Sequence, residues 1–440
     1  MNSTKPMLSW PRKIPRGQLY FDPKVVLSES LRRLGSRPIE GDVVHRFERA
    51  FAAQLPGALA IALPHARVAL RYLLQALALP SASEVVMTPA TIPEIVNVIL
   101  MAGMRPVFVD LAPRTSNIDC DDLERKITPR ARLLLITHLC GLPSEMDRVM
   151  AIAGRHGLEV LEDCSQVHGT YYRGHPLGLF GRAGFMSLTS LKPVATFHGG
   201  MTITGDPALE RELRRIDAAA PPPLSRSKLL QLFIRDFLLH GVTNLTSFSW
   251  ATYYAVRATE SLSPELVREF QRGNLFNSPE RRFKVRRIER LPESMYARYS
   301  DYQATIGLRM LPTLAEGNRR RRHLSLQLLQ LLEERNVPGL LRITVDENDC
   351  TFWRFPLWVE GPATPDGLRH HLLTRGIDSS ATNLPCCSRE EAFGEFAADT
   401  PEARRFVDEM IFLPMHPNLN EGDMLHIATA VSDYYAGLKA

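Results

Sequence analysis

The sequence predicts an α/β fold built on a mostly parallel sheet, followed by a smaller α/β unit toward the C-terminal end. Two observations predict it. Short apolar runs at 58–63, 84–89, 105–111, 131–139 and 158–163 alternate with segments of helical length and period. Runs of this kind, separated by helices, form βαβ units whose parallel strands are covered on both faces. Polar residues also collect at the ends of two runs, as Thr137-His138 and Glu162-Asp163. In open α/β sheets, ligands bind in the loops after the carboxyl ends of the strands.

Residues 1–40 read as an irregular arm rich in Pro and Arg. A helix follows Glu40, with Val44, Phe47, Phe51 and Leu55 at near-helical spacing. ALAIAL (58–63) is a strand, ARVALRYLLQALAL (66–79) a helix, and EVVMTP (84–89) a strand. IPEIVNVILMAG (92–103) is a helix closed by Gly103. The strand RPVFVDL (105–111), a helix near 120–127 and the strand ARLLLITHL (131–139) come next. The helix DRVMAIAGRHG (147–157) and the strand LEVLED (158–163) continue the alternation, and a large domain over 41–215 is expected.

Beyond Thr204 the rhythm breaks. AAAPPPLSRS (218–227) is a linker by composition, and 216–292 reads as an insertion. Its segment KLLQLFIRDFLLHG (228–241) is apolar round much of a helix, which predicts burial, and it is too short to span a bilayer. RRFKVRRIER (281–290) holds six cationic residues in ten, a pattern most often explained by a solvated face. Helical patterning resumes at Asp301, and the arginines of RRRRHLSLQLLQLLEER (319–335) are expected on a helix surface. The strand FWRFPLWV (352–359), a helix near 366–375 and a short α/β ending complete a smaller domain over 293–440.

With 440 residues, 45% hydrophobic and 23% charged, the chain has the composition of a globular protein large enough for two or three domains. A net charge of +5 is mild at this length. It suits an anionic ligand and does not point to nucleic acid. The six cysteines show no CxxC pair and no zinc-like spacing, and the adjacent Cys386 and Cys387 make a poor start for a disulfide framework. A reducing cytoplasm and no metal site are the expectations. There is no apolar signal core near Met1, and no segment reaches the roughly 18 uninterrupted apolar residues of a spanning helix.

The chemistry gathers around Lys192. In LEDCSQVHGTYYRGHPLGLFGRAGFMSLTSLKPVATFHGG, a strand ends at Asp163, Gln166 and His168 follow, and a Gly-rich hairpin leads to Ser187 and Lys192. An amine and a carboxylate so placed suit pyridoxal phosphate. That cofactor needs an amine for its aldehyde, a carboxylate to keep its pyridine nitrogen protonated, and hydroxyls and backbone N–H groups for its phosphate. Singly, Asp163 reads equally well as a helix N-cap, Ser187 as a plain strand serine and His168 as a satisfied loop histidine.

Taken together, these residues resemble the DegT/StrS-type sugar aminotransferases, pyridoxal-phosphate enzymes of fold type I. The resemblance rests on Glu162-Asp163, Gln166, His168-Gly169, Gly178 with Gly181, Ser187, Lys192 and Gly199-Gly200, with the family's spacing of five from serine to lysine. RPVFVDLAPRTSNID, THLCGLPSEMD, RYSDYQATIGL and LPMHPNL extend it over roughly 40–215 and 293–435. It implies a seven-stranded-type sheet and a homodimer with sites shared across the two-fold axis. It also implies transfer of an amino group from an amino acid, glutamate first, to the keto group of a nucleotide-linked sugar. By this resemblance Lys192 carries the cofactor and moves the proton, Asp163 faces the pyridine nitrogen, Gln166 the ring hydroxyl, and Ser187 the phosphate. The family's dehydratase branch has histidine at the lysine position, so Lys192 favours an aminotransferase.

The chain departs from the family pattern at several points. Ala66 and Arg67 stand where a Ser-Gly-Thr-like turn grips the phosphate. The helix N-terminus still attracts an anion, and Arg67 either adds a charged donor there or points to solvent. Ile92 replaces a ring-stacking aromatic, and only Arg298 remains of an Asn-x-Arg motif that reaches in from the second subunit. Pro193 and His198 stand in for an asparagine and a glutamate. These changes leave two alternatives open: the same chemistry on a non-sugar carbonyl, or a non-catalytic relative acting as a binding partner.

Overall fold

The computed structural model describes residues 12–17, 28, 42–262 and 285–438. Most of the expected arm at 1–40 and the first four residues of the basic run at 281–290 lie outside the described residues. Helix α1 (Val43–Ala52) leads into β1 (Leu59–Leu63). Then α2 (Ala66–Leu77), β2 (Glu84–Met87), α3 (Pro93–Met101), β3 (Arg105–Phe108), α4 (Cys120–Lys126), β4 (Ala131–Thr137), α5 (Met146–His156) and β5 (Glu159–Asp163) alternate as the sequence predicts. A two-residue-arm hairpin, β6 (Tyr171–Tyr172) and β7 (His175–Pro176), precedes β8 (Ala183–Ser187) and β9 (Gly200–Thr204).

Seven strands form the large sheet in the order β1-β9-β8-β5-β4-β2-β3. All neighbours from β8 to β3 are parallel, and β9 runs antiparallel to both β8 and β1. Alternate residues of the strands serve opposite faces. Leu134 and Ile136 of β4 pack with Phe47 of α1 and Val149 of α5, whereas Leu133 and Leu135 pack with Leu73 of α2 and Val96 of α3. The register sets Thr137 beside Asp163, Asp163 beside Phe185, and Ser187 beside Gly200. The carboxyl ends of β4, β5 and β8 therefore open on one region.

After β9 come α6 (Pro207–Ala218), α7 (Arg226–Thr243) and α8 (Tyr253–Leu262), then α9 (Asp301–Met310) and α10 (Leu314–Glu334). The remainder is β10 (Phe355–Trp358), α11 (Pro365–Thr374), β11 (Ser380–Ala381), α12 (Pro401–Asp408), β12 (Met410–Leu413) and α13 (Glu421–Gly437). Its three strands pair antiparallel in the order β10-β12-β11. Among the described residues, no helix is long and apolar enough to cross a membrane.

Three expectations need correction. Helix α7 is not buried: Leu230, Ile234, Phe237 and Leu238 are 41%, 48%, 43% and 62% exposed. It meets the body along one face, through the buried Phe233 and Asp236 with Leu232 and Leu239 half-buried beside them, so the apolar residues of its opposite face stay outside. The arginine run of α10 is not all surface, since Arg321 is buried. Four consecutive helical residues span the whole circumference, so one of them must face the core. The strand read at 352–359 starts only at Phe355, because Phe352 has a left-handed backbone with φ +44°. In the basic run, the described arginines Arg286, Arg287 and Arg290 are exposed, as expected.

Candidate active site

Lys192 lies in the loop from β8 to β9, which backbone bonds hold closed. Leu188 N–H donates to the Gly199 carbonyl, Thr196 N–H to that of Leu188, and Lys192 N–H to that of Thr189, all at 2.9 Å. At the end of β8, Ser187 Oγ lies 3.1 Å from Thr189 Oγ1. The Lys192 ammonium sits 3.9 Å from the centroid of the Trp353 ring. Trp353 in turn donates its indole N–H to the Leu191 carbonyl at 3.2 Å. The Arg354 guanidinium covers the Trp353 and Phe412 rings at 4.5 and 4.7 Å. Burial and the Arg354 charge push the Lys192 ammonium down to about 7, and the Asp163 carboxylate pulls the other way. Near neutral pH, much of Lys192 is therefore a free amine.

Asp163 ends β5. Its Oδ1 accepts from Ser165 N–H at 2.9 Å, and Ser165 Oγ accepts from Ser187 N–H at 3.2 Å, tying the ends of β5 and β8 together. Burial raises the Asp163 carboxyl above its ordinary range, against its bonds to Ser165 and the charges of Lys192 and His138. A cationic group set against it would relieve that cost.

Glu162, wholly buried, accepts from the N–H groups of Gly178, Phe180 and Gly181 at 2.7, 2.9 and 3.1 Å. His138 Nδ1 accepts from Ser144 N–H at 3.1 Å, so its proton is on Nε2, which faces Glu162 at 3.4 Å. With Cys164 these residues bring three potential metal ligands within 4.8 Å of one another. The imidazole is a donor here and the carboxylate is already saturated, so the cluster is a hydrogen-bonded anchor for the Gly-rich hairpin. Glu162→Ala strips three N–H groups of their acceptor. It is expected to cost about 3 kcal/mol of stability, seen as a lower denaturant midpoint with an unchanged slope.

Gln166 Oε1 accepts from Cys140 N–H at 2.7 Å, leaving its amide N–H groups as donors. The adjacent Gly141 carbonyl accepts from the N–H groups of Thr351 and Phe352 at 2.9 and 3.2 Å, and the Cys140 carbonyl from Arg354 N–H at 3.2 Å. Only glycine fits there: φ is +85°, and a Cβ would lie 2.2 Å from the Trp353 nitrogen. Arg321 Nε donates to the Thr351 carbonyl at 3.3 Å. This turn is what brings Trp353 and Arg354 to Lys192. His168 is buried beside it, and the polar group that faces its ring is the Ser187 carbonyl. Burial and the charges of Lys192 and Arg321 push its pKa down to about 3, against the pull of the Ser187 carbonyl.

Ala66 and Arg67 open α2, whose N-cap residue His65 supplies no side-chain cap. Its first-turn N–H groups keep their capacity for an anion. Gly200 packs against this turn so closely that a Cβ would lie 2.7 Å from Ala66 N. Because Gly200 pairs with Ser187, the α2 turn and the end of β8 are neighbours. His65 and His198 stack at 5.2 Å, and burial holds both neutral, at about 3 and about 4. Arg67 is directed at Glu94, with Nη1 3.7 Å from Oε1. Arg298 is exposed, its charge facing Asp217 at the end of α6. Among the described residues, no hydrogen bond or ion pair joins Arg298 to the Lys192 loop.

The set offers an amine, a buried carboxylate, a serine hydroxyl and an uncapped helix N-terminus. These fit a molecule carrying an aldehyde, a basic ring nitrogen and a phosphate. Trp353, Arg354 and Ser165 were not singled out by the sequence.

The spore coat polysaccharide biosynthesis protein SpsC of Bacillus subtilis (strain 168) is 26% identical over 410 residues, 90% of this chain and 91% of that protein. The UDP-N-acetyl-3-dehydro-alpha-D-glucosamine 3-aminotransferase of Acidithiobacillus ferrooxidans is 39% identical over 147 residues, 33% of this chain and 40% of that protein. The solved structure of Helicobacter pylori PseC, an aminotransferase involved in the biosynthesis of pseudoaminic acid, matches with TM-score 0.73 at 18% identity, over 97% of this chain and 100% of that one. The fold expected from the sequence, the type I fold of pyridoxal-phosphate-dependent transferases, is thus the fold observed. The DegT/DnrJ/EryC1/StrS aminotransferase family matches residues 31–225 and 271–432, passing over the stretch that holds α7 and α8. With most of its length so matched, the chain belongs to the DegT/DnrJ/EryC1/StrS aminotransferase family.

Proposed function

We propose that this aminotransferase uses pyridoxal phosphate to move an amino group from an amino acid, glutamate first, to the keto group of a nucleotide-linked sugar. The observation that carries the reading is Lys192: a partly buried amine whose pKa is pushed down to about 7, within the electrostatic reach of Asp163. Pyridoxal phosphate, which the family implies, supplies an electron sink for the bond being broken at the donor's α-carbon.

The chain's own residues do the rest. Lys192 holds the cofactor's aldehyde carbon and, when released, accepts and returns the proton at the reacting carbon; a pKa near 7 suits both directions. Asp163 keeps the ring nitrogen protonated. Gln166 donates to the ring hydroxyl from the amide N–H groups that Cys140 leaves free. Ser187 and the α2 turn at Ala66 and Arg67 hold the phosphate. Trp353 excludes water from one side of Lys192. We place two copies in the working enzyme, with Arg298 of each reaching the other's site, and divide the chain at 41–215, 216–292 and 293–440. The cytoplasm is the proposed location, where the six buried free thiols stay reduced.

An acceptor with an apolar portion is a second reading, favoured by Leu191, which is 47% exposed next to Lys192. The test is incubation of the cofactor-loaded enzyme with glutamate and a panel of UDP-, GDP- and TDP-linked keto sugars and apolar ketones, with 2-oxoglutarate and the aminated product measured. Product from a nucleotide-linked keto sugar supports the first reading; product from apolar ketones alone replaces it with the second. Arg67→Ala is expected to raise the dissociation constant for pyridoxal phosphate about tenfold, the worth of one charge-assisted bond. An unchanged constant in a titration of the visible band would leave Arg67 as Glu94's partner only.

A further inference from the structure

The helix α7 lies in the stretch that the family match passes over, yet it touches the loop that carries Lys192. Asp236 of α7 is 1% exposed and accepts a hydrogen bond from Ser190 Oγ. Its other oxygen accepts from Arg235 Nε at 2.7 Å. Arg235 Nη2 reaches back to the same loop, 3.2 Å from Ser190 Oγ and 3.5 Å from the Phe197 carbonyl, and Ser190 Oγ lies 3.2 Å from that carbonyl. Phe233, one turn before Asp236, sets its ring against that of Phe197 at 6.3 Å, and Phe197 stacks on Tyr302 of α9 at 5.9 Å.

Ser190 and Phe197 flank Lys192 on either side. Phe197 has φ +67°, a left-handed backbone that costs a non-glycine residue about 1 kcal/mol and persists only where neighbours hold it. We infer that Asp236, with Arg235, is a positioning residue: the inserted helix α7 clamps both arms of the Lys192 loop and fixes where the amine points. A buried carboxylate is costly unless it is paired and hydrogen-bonded, and here the groups that meet it are the loop's Ser190 and the arginine that also binds the loop. Ser190 is the loop's contribution to the clamp. The inference rests on the proposed role of Lys192.

The test compares the full chain with Asp236→Ala, Ser190→Ala, the double variant and Asp236→Asn, which keeps an acceptor for Ser190. In the cofactor-free proteins, reductive methylation across pH, followed by peptide mass mapping, reads the Lys192 amine directly. Asp236→Ala and Ser190→Ala are each expected to move the Lys192 labelling midpoint up from near pH 7 by about one pH unit, because a loosened loop rehydrates the ammonium. In the loaded enzymes kcat is expected to fall about tenfold or more with the KM for the donor little changed. The double variant is expected to match the worse single one, since both remove one contact. Asp236→Asn is expected to recover most of the loss. The milder Ser190→Ala decides the matter if Asp236→Ala does not fold. An unchanged Lys192 profile and kcat in folded Asp236→Ala or Ser190→Ala, with the cofactor still bound at Lys192, would overturn the inference. Absence of any cofactor adduct at Lys192 in the unaltered chain would instead remove the reading beneath it.

Discussion

Lys192→Ala is expected to lower turnover by about 10⁴-fold or more, since one change removes both the cofactor's attachment and the proton carrier. The fold should survive. The ammonium touches the Trp353 ring and already bears the cost of partial burial, so its loss should change stability by no more than about 1 kcal/mol. The contrast between lost turnover and an unchanged unfolding midpoint separates a chemical role from a structural one. The unaltered chain adds a signature of its own. Only the free amine attacks an aldehyde, so the rate of cofactor capture should rise with pH, pass half-maximum near pH 7 and level off above it. A lysine at the ordinary value of about 10.4 would give a rate still climbing at pH 9. Turnover retained in Lys192→Ala would end the mechanism.

Asp163→Asn should remove most of the activity, by about a hundredfold, while leaving Lys192 able to hold the cofactor. The amide has nearly the shape of the carboxylate but cannot keep a pyridine nitrogen charged, and that charge is what makes the ring an electron sink. A second, signed effect accompanies it. Asp163 is the group that opposes the downward push on Lys192, so its neutralisation should move the Lys192 labelling midpoint below pH 7. That is opposite in direction to the shift expected from loosening the loop at Asp236. Near-normal activity in Asp163→Asn would remove this residue from the ring nitrogen.

The large sheet was legible because its strands alternate with helices in apolar runs of the right length. Asp163, Gln166, Ser187 and Lys192 stood out together only through the resemblance of their spacing to a family motif, and the sheet gives that spacing a physical basis. β5 and β8 are neighbours in the sheet, with Asp163 beside Phe185, so residues some thirty apart in sequence end side by side. Trp353 and Arg354 were hidden because they come from a segment some 160 positions away that looks like a strand. Its first part is instead a turn around Gly141, and the demand for glycine there is visible only once the two loops are packed together. Arg321 was hidden within a run of like charges, where composition suggests solvent and helical geometry sends one residue inward. Helix α7 misled by its apolar content. Apolarity all round a helix predicts a cover on every side, and among the described residues the body covers one face, through Phe233 and Asp236 with Leu232 and Leu239 beside them.

The most direct test of the central claim is the visible spectrum of the purified protein with added pyridoxal phosphate, before and after borohydride, followed by peptide mass mapping. A visible band that borohydride abolishes and a single pyridoxyl adduct on Lys192 are expected. No band with excess cofactor, or an adduct mapped to another lysine, would contradict it.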